Sequence, residues 1–205
     1  MMSNSITTIH FVRHGSVHNP GEVFYGRLPR FKLSAEGLHQ AQAAALFFKD
    51  RPIIAVVSSP MLRARQTAGV IAASLGSSKI SLSSYLNEAR TPFDGKPTRE
   101  LDAINWDLYS GTSAPYEQPV DIFNRALRFI RQARIRYPGQ QIVAVTHADI
   151  IVFLTLWAHG YAINYQNKSL IERRQIATQF PSPASVTSLS WEPTTEKPEF
   201  EYFGE

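Results

Sequence analysis

The chain has 205 residues, of which 43% are hydrophobic and 19% are charged, a composition typical of a folded globular protein rather than a disordered segment. Cysteine is absent, which excludes a disulfide scaffold, a cysteine-based zinc site and a thiol nucleophile. The formal net charge of +4 suits a small anionic substrate. Because the basic residues are spread along the chain, we expect no nucleic-acid partner.

Sequence features that would place the chain in a membrane are lacking. The most apolar stretch, Ile150–Ala158, has roughly half of the ~20 residues needed to cross a bilayer. The start, Met1–Ser5, has neither the basic residues nor the apolar run of a signal peptide. We therefore expect a cytoplasmic protein that forms one domain over residues 1–205 and makes no membrane contact, with a monomer and a homodimer both open.

The first half of the chain alternates strand and helix patterns. β-Branched and aromatic residues that stop at a glycine turn predict a strand at Ile6–Val12. Ser34 can cap a helix whose apolar residues keep helical spacing as far as Phe48. A strand at Ile53–Val57, a helix at Met61–Leu75 and a short strand at Ile80–Leu82 follow in chain order.

The second half opens with a long irregular stretch, residues 85–119, which is rich in proline and glycine. Its helical piece at Arg99–Leu108 precedes a helix at Val120–Tyr137, a strand at Ile142–Thr146, a helix at Asp149–His159 and a strand at Val186–Trp191. Five arginines in Arg125–Arg136 alternate with apolar residues, which is the pattern of the solvated face of an amphipathic helix. The segment after Trp191 is polar and contains proline, and no element is predicted there.

This order of strands and helices predicts an α/β fold, a three-layer sandwich in which a mostly parallel central sheet carries helices on both faces. Residues 85–119 are expected to form a loop and helix lid over the carboxyl edge of the sheet. Reactive loops of such folds lie at that edge. The segments after Val12, Val57 and Val145 are therefore the candidate site loops.

Those three segments carry basic and nucleophilic side chains. Arg13 and His14 follow the strand at Ile6–Val12, Arg63 comes shortly after Val57, and His147 follows Thr146. Arginine offers a planar set of donors for phosphate or carboxylate oxygens, and a neutral histidine can act as a nucleophile. Together these residues predict an anion pocket that contains a nucleophile.

A longer pattern surrounds these residues. Its segments, in chain order, are Phe11-Val12-Arg13-His14-Gly15, Leu33-Ser34-Ala35-Glu36-Gly37 with Gln40-Ala41, Ser58-Ser59-Pro60-Met61-Leu62-Arg63-Ala64-Arg65-Gln66-Thr67-Ala68, Leu86-Asn87-Glu88 and Val145-Thr146-His147-Ala148. In sequence and order they resemble the histidine phosphatase superfamily, also called the phosphoglycerate mutase-like proteins. The resemblance covers roughly residues 6–160, and the string from Ser58 to Ala68 is its most specific part.

The resemblance implies a role for each matching residue. His14 corresponds to the nucleophile that becomes a phosphohistidine, and Glu88 corresponds to the acid that protonates the leaving oxygen. The residues implied around the phosphoryl oxygens are Arg13, Arg63 and His147, and further substrate contacts are implied at Asn19, Gly26 and Ala148. Physically, such donors would stabilise charge on the equatorial phosphoryl oxygens.

One departure from the family bears on the proton donor. In the acid phosphatase branch an aspartate directly follows the second histidine, whereas here Ala148 separates His147 from Asp149. This spacing favours Glu88 over Asp149 as the acid.

No metal or cofactor is expected. His10, His14 and His18 recur every four residues, but the first lies in a predicted strand, and Gly15 and Pro20 break the helix that would align them as ligands. No cluster of carboxylates or cysteines accompanies the histidines in the sequence, and the arginines already supply the positive charge that a metal would bring.

The function implied is metal-independent hydrolysis of a small phosphorylated substrate. One alternative is a phosphoglycerate mutase that uses a bisphosphorylated cofactor, although residues 89–119 lack the basic, tyrosine-containing segment of mutase lids. Another is a degenerate phosphate-binding module, which the presence of His14, Arg63 and His147 disfavours.

Overall fold

A mixed sheet organises the residues that the computed structural model describes, which are 5–77, 79–173, 175 and 179–204. Its strands are β1 (Thr7–Arg13), β2 (Ile53–Ser58), β3 (Ser81–Leu82), β4 (Gln141–Thr146), β5 (Val186–Trp191) and β6 (Glu199–Phe203). Their order across the sheet is β3-β2-β4-β1-β5-β6. Strands β3, β2, β4 and β1 are parallel, and β5 is antiparallel to both of its neighbours.

Helices cover both faces of this sheet, so the α/β sandwich expected from the sequence is confirmed. The α-helices of the described residues are α1 (Ala35–Phe48), α2 (Leu62–Ser74), α3 (Thr98–Ala103), α4 (Pro119–Arg136), α5 (Ala148–Ala158) and α6 (Tyr165–Glu172). Side chains alternate between the faces of a strand. Ile9 and Phe11 of β1 therefore pack with buried residues of α4 and α5, whereas Val12 packs with those of α1 and α2.

Two helix starts follow from local hydrogen bonding. Ser34, the cap expected from the sequence, accepts a hydrogen bond from the Gly37 N–H at 3.0 Å and begins α1. The N–H of Gln118 donates to the Asp121 carboxylate at 2.9 Å, and Pro119 follows in the first turn of α4. In both cases a polar side chain satisfies a backbone group at the helix end or next to it.

Some elements differ from the sequence expectations. The helix expected at Arg99–Leu108 ends at Ala103, because Asn105 and Trp106 have φ angles of 51° and 58°, which the right-handed helix does not allow. Helix α6 and strand β6 form where no element was predicted. Strand β6 extends the sheet by pairing along β5.

The structure can be compared with the expectations for a signal peptide and a membrane-spanning segment. Met1–Ser5 lies outside the described residues except for Ser5. In the described part of the chain no helix has both the length and the apolar character needed to span a bilayer. The apolar stretch Ile150–Ala158 belongs to α5, which is buried between the sheet and its neighbours.

Candidate active site

The carboxyl ends of three parallel strands bring the site together. Strands β1 and β4 are neighbours, with Arg13 opposite Thr146, so the residues that follow them meet: the ring centroids of His14 and His147 are 5.2 Å apart. Arg63 reaches the same point from the first turn of α2, which follows β2. The anion pocket expected at this edge of the sheet is therefore assembled from side chains far apart in sequence.

The ring of His14 is fixed by its neighbours. Its Nδ1 lies 2.8 Å from the Gly15 carbonyl oxygen, which can only accept, so Nδ1 carries the hydrogen and Nε2 keeps its lone pair. Arg63 Nε donates to that lone pair at 3.1 Å. Burial, then the charges of Arg63, His147 and Arg13, place the pKa of His14 well below its ordinary value. His14 is therefore a neutral imidazole whose unprotonated Nε2 accepts from Arg63.

Close backbone packing holds the loop that carries His14. A Cβ on Gly15 would lie 2.4 Å from the Gly37 carbonyl oxygen, so only glycine fits against the first turn of α1. The Gly15 N–H donates to Thr67 Oγ1 at 3.1 Å, and the Ser16 N–H donates to Gln40 Oε1 at 2.8 Å. These contacts give a structural reason for Gly15, Gly37, Gln40 and Thr67 in the sequence pattern.

Arg63 is the hub of the site. Its guanidinium is 1% exposed and donates to His14, to the Gly26 carbonyl oxygen at 2.8 Å, to His147 Nδ1 at 3.2 Å and to Glu88 Oε2 at 3.5 Å. Its other side lies 4.7 Å from the centre of the Tyr25 ring. Gly26 thus acts through its carbonyl, which orients the arginine.

Glu88 and His147 form a buried pair beside Arg63. Glu88 Oε2 lies 3.3 Å from His147 Nδ1, and Glu88 Oε1 accepts from the Ala89 N–H at 2.9 Å. Burial raises the pKa of Glu88, but His147, Arg63 and the Ala89 N–H outweigh it and hold that pKa well below its usual range. Burial lowers the pKa of His147 to about 4, although Glu88 opposes this. Glu88 is therefore ionised and His147 neutral near neutral pH.

The remaining expected residues line a cavity of about 460 Å³ that opens beside His14. Arg13 Nη1 donates to the Pro181 carbonyl oxygen at 2.8 Å, and its buried Nε has no hydrogen-bond partner among the described residues. Asn19 lines the cavity while its side chain bonds to the backbone of Val23. Ala148 lines it as the first residue of α5, whose first N–H groups are the ones that bind anions at helix starts.

The cavity is also lined by residues that the sequence analysis did not assign to the site, apart from Asp149, which it weighed as the acid. Four aromatic rings and a leucine provide much of its apolar wall: Phe24, Tyr25, Trp106, Leu108 and Phe180. Trp106 and Leu108 come from residues 85–119, the expected lid. A polar group of Asp149, Lys168 and Glu172 completes the lining. The lining therefore combines the phosphate-binding residues around His14 with apolar rings and a second polar group.

Two arginines hold the backbone of Glu88. Arg27 Nε and Arg125 Nη2 donate to the Glu88 carbonyl oxygen at 2.7 and 3.2 Å. Glu117 bridges them, with distances of 2.8 Å to Arg27 and 2.7 Å to Arg125. The assignment of Arg125 to a solvated face was wrong. Its position four residues before the buried Phe129 on α4 was the sequence signal for a partly buried role.

The site contains a cluster that the sequence did not reveal. Ligand atoms of His14, Glu88 and His147 lie within 4.8 Å of one another, so a carboxylate does accompany the histidines, contrary to the sequence argument. However, the Arg63 guanidinium donates to all three residues. A cation in that position would face a fixed positive charge at hydrogen-bond distance, so the arrangement fits an anion better than a metal ion.

Comparisons with known proteins agree with this geometry. Residues 9–198 match the family model described as Histidine phosphatase superfamily (branch 1). The chain is 36% identical over 193 residues to the uncharacterized protein Rv0525 of Mycobacterium tuberculosis, with 91% of both chains covered.

Solved structures share the fold. A mycobacterial glucosyl-3-phosphoglycerate phosphatase, Rv2419c, superimposes with a TM-score of 0.76 at 22% identity, covering 96% of this chain and 97% of the other. A mutant of phosphoserine phosphatase from Entamoeba histolytica, in complex with phosphoserine, gives a TM-score of 0.72 at 17% identity, covering 97% of this chain and 96% of the other. At these identities the likeness concerns the fold.

Proposed function

Since the chain belongs to the histidine phosphatase superfamily, we propose that it hydrolyses small phosphomonoesters, without a metal, through a phosphohistidine at His14. The observation that carries the proposal is the neutral Nε2 of His14, whose lone pair faces arginine donors beside a cavity. The volume of about 460 Å³ exceeds the needs of a phosphate alone and leaves room for a leaving group. The solved relatives named above are phosphatases of small phosphorylated compounds.

In the first step Nε2 of His14 attacks phosphorus in line with the ester oxygen. The N–P bond forms, the P–O ester bond breaks, and its electron pair goes to the leaving oxygen. The ring gains positive charge, which the Gly15 carbonyl stabilises through Nδ1–H. Arg63 Nε is hydrogen-bonded to Nε2, so the phosphoryl oxygens take over this donor and free the lone pair. The unpartnered Arg13 Nε offers a further donor.

Glu88 handles the proton. Its pKa lies well below its usual range, and a phosphate dianion placed beside it raises that pKa by charge repulsion, which favours proton uptake when substrate binds. Glu88 then gives this proton to the leaving oxygen. In the second step its carboxylate removes a proton from water while the water oxygen attacks phosphorus and the P–N bond breaks. One ester and one water yield one alcohol and one phosphate, and His14 returns to its neutral form.

The mutase alternative needs a place for a second phosphate. Among the described residues that line the cavity, the cationic side chains are those of Arg13 and Lys168. The latter already faces Asp149 and Glu172, so the cavity suits one phosphate. This favours the phosphatase.

The proposal is tested by phosphate release from p-nitrophenyl phosphate and a panel of phosphorylated metabolites. The wild-type protein should release phosphate, and after acid-free quenching it should carry an acid-labile phosphoryl group. His14→Ala should lose both properties while still binding phosphate. A variant that keeps more than a few per cent of the rate would exclude His14 as the nucleophile. Binding without turnover in the wild type would identify a degenerate module.

The absence of a metal requirement is a separate prediction. Because Arg63 already supplies a positive charge among the three candidate ligands, EDTA should leave the rate unchanged. The rate is measured before and after dialysis against EDTA, then with Mg²⁺, Mn²⁺ or Zn²⁺ added. Loss of activity in EDTA that one of these ions restores would overturn the prediction.

A further inference from the structure

The cavity that opens beside His14 is also lined by a buried lysine. Lys168 of α6 is 3% exposed, and its Nζ donates to Glu172 Oε1 at 2.7 Å and lies 3.6 Å from Asp149 Oδ1. Within the described part of the chain, Glu172 supplies its one hydrogen-bond acceptor. Since an ammonium group has three N–H donors, donors remain for a molecule in the cavity.

The charges of Lys168, Asp149 and Glu172 do not cancel. Burial lowers the pKa of Lys168, but Asp149 and Glu172 outweigh it and raise that pKa above its usual value, so the ammonium stays charged. Tyr109 is neutral and donates its hydroxyl hydrogen to Asp149 Oδ2. Two carboxylates against one ammonium leave a net negative charge.

This combination discriminates among leaving groups. A carboxylate can only accept hydrogen bonds and would be repelled by Asp149 and Glu172. An ammonium can only donate, so it would leave the Lys168 donors without an acceptor even though the two carboxylates attract it. A hydroxyl group both donates and accepts, so it can accept from Lys168 Nζ and donate to a carboxylate oxygen of Glu172 without a charge penalty.

The apolar walls of the cavity add a requirement of shape. Phe24, Trp106 and Phe180 line the cavity, and flat apolar surfaces favour the face of a ring. A short, flexible leaving group would leave these surfaces uncovered. The cavity volume of about 460 Å³ lies in the range of sites that take ligands larger than a phosphate.

We propose that Lys168 and Glu172, with Asp149 holding Lys168, recognise the leaving group and select phosphomonoesters of neutral rings that bear hydroxyl groups. This inference rests on the proposed phosphatase function. Sugars and nucleosides both present this chemistry, and the experiment separates them.

A purely structural role for the Lys168–Glu172 ion pair does not explain why both residues line the cavity. The chain has a matched pair on its surface, where Lys96 and Glu100 are also four residues apart, 3.9 Å from each other and 54% and 52% exposed. Removing an ammonium from water is costly, and fastening α6 would not require placing one in the lining of a cavity. Lys96→Met is therefore the control for Lys168→Met.

The experiment measures kcat/KM for four esters: phenyl phosphate, glucose 6-phosphate, adenosine 5′-monophosphate and 3-phosphoglycerate. The wild type should prefer one of the two hydroxyl-bearing neutral-ring esters over the other two compounds. In Lys168→Met the ratio of the preferred ester to phenyl phosphate should fall about tenfold or more, as expected for one hydrogen bond to a charged group, mainly through KM. Lys96→Met should keep the wild-type ratio.

A second variant keeps the inference testable if Lys168→Met folds poorly. Glu172→Gln preserves shape and removes one negative charge, so it should raise the kcat/KM for 3-phosphoglycerate relative to phenyl phosphate severalfold. A wild-type preference for 3-phosphoglycerate, or ratios that neither variant changes, would overturn the inference while phenyl phosphate hydrolysis still supports the phosphatase. Hydrolysis of none of the four esters by the wild type would overturn both.

Discussion

At the scale of single residues, hydrogen-bond direction decides the chemistry of His14. The Gly15 carbonyl at 2.8 Å fixes the hydrogen on Nδ1, and burial together with Arg63 keeps the ring neutral. The same guanidinium contacts Glu88 and His147. One buried cation thereby suppresses protonation of two histidines and favours the ionised form of the carboxylate, which leaves a site prepared for an anion.

Proton transfer and charge stabilisation can be separated by two substitutions. If Glu88 protonates the leaving oxygen, Glu88→Gln should slow esters with alkoxide leaving groups by about a hundred- to ten-thousandfold, and p-nitrophenyl phosphate far less, because p-nitrophenolate leaves without a proton. Arg63→Ala should slow both kinds of ester, since the equatorial charge is present in each. The measurement is kcat/KM for both esters in both variants. An equal fall on both esters in Glu88→Gln would remove the acid role and point to Asp149 or water.

The sequence predicted which residues form the site, but it did not predict their ionisation states. The strand-end positions of Arg13, His14, Arg63 and His147 followed from the strand patterns and the motif, and the structure brings them together. The ionisation states did not follow, because they depend on contacts such as Arg63 to His14, which joins residues 49 positions apart.

At the scale of elements, three segments meet at the backbone of Glu88. Arg27 belongs to the loop after β1, Arg125 to α4, and Glu117 to the end of the expected lid, and the arginines converge on one carbonyl oxygen. Glu117 balances two guanidinium groups that would otherwise repel each other. It is a positioning residue, because it acts through Glu88 and is not among the residues that line the cavity.

Neutralising Glu117 should therefore weaken proton transfer specifically. In Glu117→Gln the arginines lose their bridging charge and the segment that carries Glu88 loosens, so kcat for alkoxide esters should fall about tenfold, or about 1.4 kcal/mol in barrier. The fall should be smaller for p-nitrophenyl phosphate. Glu100→Gln, on the exposed part of α3, is the control. Equal losses for both ester types would indicate a general structural defect instead.

Elements with a strong hydrophobic pattern in the sequence were predictable, and elements that form through tertiary contacts were not. Strands β1, β2, β4 and β5 are apolar and β-branched, and their observed bounds lie within a residue or so of the sequence expectations. Strand β6 alternates exposed and half-buried residues at the sheet edge, and its pairing with β5 supplies what its sequence lacks. Helix α6 is similarly polar on much of its surface, and the buried Ile171 packs in the core.

At the scale of the whole molecule, the order of strands places the reactive edge at the centre. Strand β1 lies between β4 and β5, so its carboxyl end is flanked on one side by His147 and on the other by the chain that leads into β5. That chain holds Arg13 through the Pro181 carbonyl. The alternation of strands and helices predicted parallel crossovers, but the reversal of β5 depends on a connection, residues 159–185, that has no strand pattern.

Keeping two histidines neutral inside this fold should make its stability depend on pH. In the unfolded chain a histidine binds a proton below about pH 6.5, whereas burial keeps His147 neutral down to about pH 4. Unfolding then takes up protons, so stability should fall as pH drops from 6.5 to 4, by about 3 kcal/mol from His147 alone, and further from His14. Urea unfolding at several pH values measures this. His147→Asn should flatten the dependence of the unfolding free energy on pH. The control His39→Asn, at an exposed position of α1, should leave that dependence unchanged. Equal stability of the wild type at pH 7 and 4.5 would contradict the buried neutral pair.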